Sequence, residues 1–375
     1  MLVYIFPIVL CLFGILIYDR YFYKSGNILY YFIVAYLAIL AGLSYRVGSD
    51  SGFYMDSYTQ IPTIDELTVK SLSNSEYQPL YLLLCTFCKY FENEIWLLHL
   101  VQSSIVCFSF SYFLRKYSSW KFTGLLLFSL FIYPYFCYEI YKESLAVSCF
   151  LLGYPYLQKN KYIKYYIFAF LGIGFHLSAI LIFAVPFIQG LKFNYKYLLW
   201  LGVATFFYIS LLKFVPFLIT SEYVIGKVDY YTLSLTKKIN ENWYIDSSLR
   251  NILVPLSVSL WYKFRKQNLT FEWAFCVYVI LGCGTLGFAL LFERPLNYFL
   301  PFIVVALVKI IEQERLSIRH VRMTTFSIVL VFWLAARGLF YIRSEIWRLL
   351  IPYESIFTEN VNAKRENVVY EIHPH

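Results

Sequence analysis

The side chains able to do chemistry in this sequence are charged or tautomeric groups at the ends of long apolar runs. Charge at the edge of an apolar environment is costly, so its presence there marks candidate functional residues. The set comprises Arg46, Asp50, Lys142, Glu143, His176, Arg250, Glu293, Arg294 and Arg337. The alternative for each is an interfacial anchor or a paired structural charge. This alternative is favoured for Asp56, Glu92 and Arg343.

Two chemical roles follow from these residue types. A guanidinium fork matches phosphate oxygens, so the basic members predict a polyanion site. The basic candidates are Arg46, Lys142, Arg250, Arg294 and Arg337. A carboxylate beside them can take a proton from a hydroxyl nucleophile, with Asp50 first and Glu143 and Glu293 behind it. His176 can donate or accept a proton, or serve as a hydrogen-bonded structural group.

The elements that must position these groups are predicted to be membrane-spanning helices. Hydrophobic residues make up 60% of the 375 residues and charged residues only 15%, below the roughly 25% of soluble domains. A spanning helix needs about 20 mostly apolar residues. Twelve spans are predicted, near residues 1–18, 27–44, 94–114, 121–138, 142–157, 162–173, 175–189, 197–212, 249–262, 270–290, 296–311 and 323–341. The sequence therefore predicts an all-α, polytopic integral membrane protein.

Loop charge predicts the topology. Basic residues concentrate in the loops at 19–26, 115–121, 158–164, 190–196, 263–268 and 309–322. The positive-inside rule places those loops in the cytoplasm and the candidate residues on the outer side. The outer loops are then 45–93, with a surface-lying helix at 77–91, and 213–248.

The connections between spans carry several of the candidates. Glu139, Lys142 and Glu143 sit between two spans, and Glu293 and Arg294 sit in a tight connection ended by Pro295. Residues 162–189 are predicted to form a hairpin that turns at Gly172 and Gly174. A single transmembrane domain, 1–341, and a tail, 342–375, are expected.

Composition also argues against other classes of protein. The net charge of +9 is spread over short blocks between apolar runs, which favours membrane orientation over nucleic-acid binding. Acidic residues are not clustered at ligand spacing, so no metal or other cofactor is expected. The eight cysteines lie almost wholly in apolar segments and are interpreted as buried small residues.

Several short motifs carry a resemblance to a known family. YRVGSD, with Arg46, Gly48 and Asp50, precedes Tyr54 directly after the second span. The chain then shows SEYQPLY at 75–81, YKESLAVSCFLL at 141–152, FHLSAI at 175–180, ERPLNYF at 293–299 and IPYESIF at 351–357. In this order the motifs resemble the EpsG-type polysaccharide polymerases, relatives of the Wzy O-antigen polymerases. Lys142 stands where that family usually has arginine.

The resemblance implies a fold and an activity. The fold would be a helix bundle similar to the GT-C membrane glycosyltransferases. The activity would transfer a growing glycan from undecaprenyl diphosphate to the next lipid-linked repeat, at the outer face of the bacterial cytoplasmic membrane. Arg294 and Tyr298 match the late Arg–Tyr helix, and Tyr54 joins the substrate-binding residues. The implied partners are the lipid-linked oligosaccharide and membrane lipid, with a chain-length regulator and a flippase as further candidates.

Two other functions stay open at this stage. Twelve spans also fit a lipid-linked oligosaccharide flippase, although no internal repeat typical of transporters is found. A membrane O-acyltransferase uses an intramembrane histidine, a role that His176 can fill. Charge on one face and long outer loops favour the polymerase.

Overall fold

The computed structural model describes residues 2–19, 21–22, 25–68, 77–194, 196–197, 200–203, 248–264, 268–285, 289–316, 346–358 and 361–372. These residues divide between two compact units. The first unit comprises Met1–Phe183 and Tyr341–His375, and the second comprises Ala184–Phe340. The described residues of the predicted tail, 342–375, belong to the first unit. Throughout the described residues the secondary structure is helical, apart from a single antiparallel bridge between Ser44 and Ser355.

In the part of the chain that the structure describes, the first unit begins with the following helices. They are α1 (Leu2–Gly14, continued by a π-helical turn at Ile15–Asp19), α2 (Asn27–Gly42), α3 (Ser51–Thr59), α4 (Pro79–Phe91), α5 (Trp96–Tyr117), α6 (Lys121–Phe131), α7 (Tyr133–Tyr138), α8 (Tyr141–Leu157) and α9 (Tyr162–Phe175). Helix α5 packs against α2 on one side and α8 on the other, and α8 packs along α9. These apolar helices satisfy their own backbone groups, which an apolar environment requires.

The remaining helices belong mainly to the second unit. A 3₁₀ segment at Leu177–Ala184 leads into α10 (Val185–Ile188), and a π-helical turn at Leu249–Leu253 leads into α11 (Val254–Phe264), α12 (Glu272–Thr285) and α13 (Ala289–Leu316). The C-terminal segment returns to the first unit with a 3₁₀ turn at Ile346–Leu349 and α14 (Ala363–Ile372).

Ten of the twelve predicted spans coincide with these helical segments, and the spans at 197–212 and 323–341 lie wholly or mostly outside the described residues. Within the described ranges, three stretches are long and apolar enough to cross a membrane: Leu2–Asp19, Trp96–Tyr117 and Phe292–Glu312. Six more apolar helices are shorter. The count of twelve crossings and the GT-C-like arrangement stay predictions.

The span predicted at 121–138 is broken at Ile132. Helix α6 ends there, and α7 follows with Pro134 in its first turn. Proline has no backbone N–H, and in the first turn of a helix that N–H would have no partner within the helix in any case.

The predicted hairpin at 162–189 is confirmed, but its turn lies at His176 and not at the glycines. Tyr165 donates a hydrogen bond of 2.6 Å to the carbonyl oxygen of Ile182, which one straight helix would place far away. The glycines serve close packing instead. A Cβ on Gly174 would lie 2.5 Å from Leu80 of α4.

The tight connection predicted at Glu293–Pro295 is wrong. These residues lie inside α13, which begins at Ala289 and continues through Pro295 and Pro301. Apolar helices tolerate internal proline because neighbouring groups re-satisfy the freed carbonyl. The proline therefore does not mark the helix end.

The described residues of segment 45–93, which is predicted to be an outer loop, form α3 and α4 over a shared apolar core. That core includes Tyr54, Tyr58, Tyr81, Tyr141 and Leu145. Lys89 of α4 donates hydrogen bonds of 3.0 Å to the Thr59 carbonyl and 2.6 Å to the Ile61 carbonyl, and so caps the C-terminal end of α3. The structure confirms a helix within 77–91, and its position on the membrane surface stays a prediction.

Candidate functional site

The site begins with a sharp backbone turn after α2. Arg46 has a φ of 49° and Gly48 a φ of 102°, a left-handed region that non-glycine residues rarely adopt. Backbone contacts from the C-terminal segment hold this turn. The Tyr45 amide donates to the Glu354 carbonyl across 2.9 Å, and the Gly48 amide donates to the Leu349 carbonyl across 3.0 Å. The surrounding structure therefore maintains a strained conformation at Arg46.

Glu139, at the end of α7, packs its carboxyl group against this turn. The Ser49 amide donates to both Glu139 oxygens across 2.9 Å, and the Asp50 amide lies 3.3 Å from Oε2. This approach requires glycine at position 48, since an added Cβ would lie 2.6 Å from the Tyr138 carbonyl oxygen and 3.1 Å from Glu139 Oε1. The carboxyl of Glu139 thus stands at the N-terminal end of α3.

The Ser49 hydroxyl bridges two carboxyl groups. Its Oγ hydrogen-bonds to Glu139 Oε2 and lies 3.2 Å from Asp50 Oδ1. A hydroxyl has one hydrogen and can donate to only one of them. A proton on Glu139 resolves the conflict, because Glu139 then donates to Ser49 and Ser49 donates to Asp50.

The electrostatics of Glu139 agree with this arrangement. Burial, and then the negative charge of Asp50, raise the pKa of Glu139 from 4.5 to about 7, while the hydrogen bonds from Ser49 and Asp50 oppose the rise. Burial and the neighbouring charge therefore favour the protonated form of Glu139. Asp50 stays the candidate base.

Arg46 forms a two-point ion pair with Glu366 of α14. Its Nε lies 3.0 Å from Oε1 and its Nη2 lies 3.3 Å from Oε2. These hydrogen bonds raise the pKa of Arg46. The next residue, Arg365, is 1% exposed and donates to the backbone carbonyls of Arg46, Arg348 and Pro352. The C-terminal helix is therefore part of the site.

Lys142 lies over two tyrosine rings at the start of α8. Its Nζ is 4.7 Å from the ring centre of Tyr77 and 5.8 Å from that of Tyr54. The Tyr54 ring stacks on Tyr141, with ring centres 4.4 Å apart and planes 8° apart. Glu143 is buried in the first turn of α8. A cation over stacked aromatic rings is suited to an anionic sugar conjugate.

His176 ends α9 and begins the 3₁₀ segment. The Ser178 amide lies 3.3 Å from His176 Nδ1, and the Ser178 hydroxyl lies 2.6 Å from the same atom. A backbone amide can only donate, so Nδ1 is the acceptor and a neutral ring carries its proton on Nε2. Phe175 packs against the aromatic core that holds Tyr54 and Tyr141. The residue before His176 thus contacts the same aromatic core as Tyr54, the ring over which Lys142 lies.

The second unit holds its own polar group. Arg250 Nη2 lies 3.4 Å from Glu293 Oε1, and Arg250 Nε lies 3.2 Å from Asn251 Oδ1. Arg294 is exposed, whereas Tyr298 is only 1% exposed and packs inside the unit. Arg337 lies outside the described residues.

Among the residues that the structure describes, no three His, Cys, Asp or Glu side chains lie close enough together to hold a metal ion.

Sequence reasoning placed Glu139 among the charged groups between two spans without giving it a chemical role, and it did not single out Arg365 or Glu366. Glu139 carried a usable signal, because it follows an apolar run and precedes Lys142 by three residues. Arg365 and Glu366 carried none, since they lie in a nearly charge-balanced tail and contact Arg46 across more than 300 positions of sequence.

The sequence profile of the EpsG family matches residues 27–355. The chain belongs to the EpsG family. No curated protein and no solved structure matches it. Membership in this family indicates an exopolysaccharide-type polymerase, and the apolar helices indicate a membrane protein. The matched region ends before α14, so Arg365 and Glu366 lie beyond it.

Proposed function

We propose that this chain polymerises oligosaccharide repeats carried on undecaprenyl diphosphate, at the outer face of the bacterial cytoplasmic membrane. The observation that carries this function, besides the family, is the Asp50–Ser49–Glu139 arrangement in the same turn as Arg46. It supplies a base for an acceptor hydroxyl next to a cation for a phosphate leaving group. These are the two groups that glycosyl transfer from a lipid diphosphate requires.

In the proposed reaction, Asp50 takes the proton of the acceptor hydroxyl. The acceptor oxygen forms a bond to the anomeric carbon of the donor glycan. The bond between that carbon and the diphosphate oxygen breaks, and undecaprenyl diphosphate leaves with the electron pair. Glu143 and Glu293 are the other candidate bases.

Cationic side chains would stabilise the charge that develops on the diphosphate. The candidates are Arg46, Lys142, Arg250, Arg294 and Arg337. The Nε2–H of His176 would donate to a phosphate or acceptor oxygen, and Tyr54 would stack on a sugar ring.

The test supplies the purified full chain, in detergent, with a lipid-linked repeat. A ladder of products longer than two repeats supports the polymerase. Acyl transfer, or movement of the lipid across vesicles without a ladder, would identify an acyltransferase or a flippase and overturn it.

Variants connect the activity to the site. Asp50→Asn and Arg294→Ala should abolish long chains while membrane insertion is retained. The matched control is Asp65→Asn, because Asp65 is an exposed aspartate in the same segment, 45–93. Wild-type chain lengths in both site variants would reject the residue assignment.

A further inference from the structure

Arg46 is already bound to an anion in this structure, and that anion comes from the chain itself. The Glu366 carboxylate contacts the guanidinium at two points: Oε1 lies 3.0 Å from Arg46 Nε, and Oε2 lies 3.3 Å from Arg46 Nη2. Both side chains remain partly open, at 25% exposed for Arg46 and 34% for Glu366. A guanidinium fork binds a carboxylate and a phosphate with the same two-point geometry. Glu366 therefore occupies a position that a phosphate oxygen pair can take.

The neighbouring residue fixes Glu366 in this position. Arg365 is buried, and its guanidinium reaches three backbone carbonyls, including that of Arg46 at 3.0 Å. Helix α14 is thereby attached to the turn through Arg365, while Glu366 contributes only the outer ion pair. Loss of that outer pair leaves the buried attachment in place.

The start of α3 also leaves room for the Arg46 guanidinium. A Cβ on Gly52 would lie 3.0 Å from Arg46 Nη2. The absence of a side chain there lets the Arg46 group lie across the first turn of α3. The N-terminal end of a helix adds partial positive charge and favours anions nearby.

We infer that Arg46 forms an oxyanion subsite for the phosphate of the lipid-linked donor, and that Glu366 fills this subsite until the donor displaces it. The subsite rests on the proposed function, since it names where that reaction's diphosphate binds. Helix α14 then acts as a resident competitor that stays attached through Arg365. Helix α14 lies outside the part of the chain that matches the family.

The experiment measures inorganic pyrophosphate binding to the full-length protein in detergent by calorimetry. The Glu366→Gln variant keeps the size of the side chain and removes its charge. A partly exposed ion pair contributes up to about 1 kcal/mol, so its loss should tighten pyrophosphate binding about fivefold. Glu354→Gln is the charge-matched control, because Glu354 lies in the same C-terminal segment and contacts Tyr45 through its backbone carbonyl.

The same substitution in an Arg46→Gln background identifies the residue through which Glu366 acts. The subsite predicts that the fivefold effect disappears there. Unchanged or weaker binding in Glu366→Gln would overturn the competition and leave the pair as a structural contact. An effect that persists without Arg46 would also overturn it.

Chain synthesis provides the separate readout. A wild-type protein that forms no product ladder, while Glu366→Gln still tightens pyrophosphate binding through Arg46, would refute the polymerase and retain the anion subsite. A ladder in the wild type without any effect of Glu366→Gln on donor KM or pyrophosphate binding would retain the polymerase and refute the competition.

Discussion

Arg365 donates a hydrogen bond of 3.0 Å from its Nη1 atom to the backbone carbonyl oxygen of Arg46. The same guanidinium also reaches the carbonyls of Arg348 and Pro352. One buried side chain thus joins the turn after α2, the 3₁₀ turn and the start of α14.

Arg365→Ala should lower the free energy of unfolding by about 3 kcal/mol, because buried carbonyls lose their donor and a cavity remains. Thermal unfolding of the purified protein in detergent measures the change. Lys364→Ala is the control, since Lys364 is the exposed neighbour on the same helix. Equal unfolding temperatures for both variants would show that the three carbonyl contacts do not stabilise the fold.

The sequence predicts the helical class and the location of the turn, because apolar runs and the YRVGSD motif are local signals. It predicts Asp50 as the base but assigns no role to Glu139, because the local signal at Glu139 does not show which of several carboxylates meets the turn. The ion pair between Arg46 and Glu366 could not be predicted from the sequence either, because it depends on where the C-terminal segment packs in the folded chain. Two predicted helix interruptions are also in the wrong place. Helix α13 continues through Pro295, and the turn after α9 lies at His176 and not at the preceding glycines.

Glu139→Gln should remove a pH dependence of stability. The pKa of Glu139 is raised from 4.5 to about 7 by burial and by Asp50, so between these values the folded protein binds more protons than the unfolded chain. Stability from this group is therefore complete below pH 4.5 and is lost as the pH rises through 7. Since Glu139 is only half-buried, the loss should be about 1–2 kcal/mol.

Thermal unfolding measured from roughly pH 5 to pH 8 tests this pH dependence of stability, because a carboxyl group that titrates near neutrality changes its charge within that range. The wild-type protein should lose stability across the range, and Glu139→Gln should lose less. Asp56→Asn, which changes an exposed carboxylate, should keep the wild-type slope. An identical slope in Glu139→Gln would assign the titration to another group.

Gly48→Ala should disrupt the turn that holds Asp50. The φ of 102° is strained for alanine, and the new Cβ would lie 2.6 Å from the Tyr138 carbonyl oxygen. We expect a loss of about 2–4 kcal/mol in the free energy of unfolding, together with the loss of chain synthesis. Gly190→Ala is the control, because nothing lies within 4 Å of a Cβ at that position. Retained synthesis in Gly48→Ala would show that Glu139 need not approach Ser49.

The last test concerns Lys142. Substitutions at this position show whether the site requires only a positive charge or also depends on the shape of the cationic group. The ammonium lies over the rings of Tyr54 and Tyr77, an arrangement that a guanidinium can also adopt. Lys142→Arg should therefore keep chain synthesis within about threefold of wild type, whereas Lys142→Ala should reduce it by at least about tenfold, the equivalent of one lost charge contact.

Lys116→Ala is the matched control for this pair, since Lys116 also lies over a tyrosine ring, that of Tyr112, at 5.3 Å. Its loss should leave synthesis unchanged, because it lies in the loop predicted to face the cytoplasm. Normal synthesis in Lys142→Ala would remove Lys142 from the site. A defect in Lys142→Arg as large as that in Lys142→Ala would instead show that the compact ammonium, and not positive charge alone, is required between the two rings.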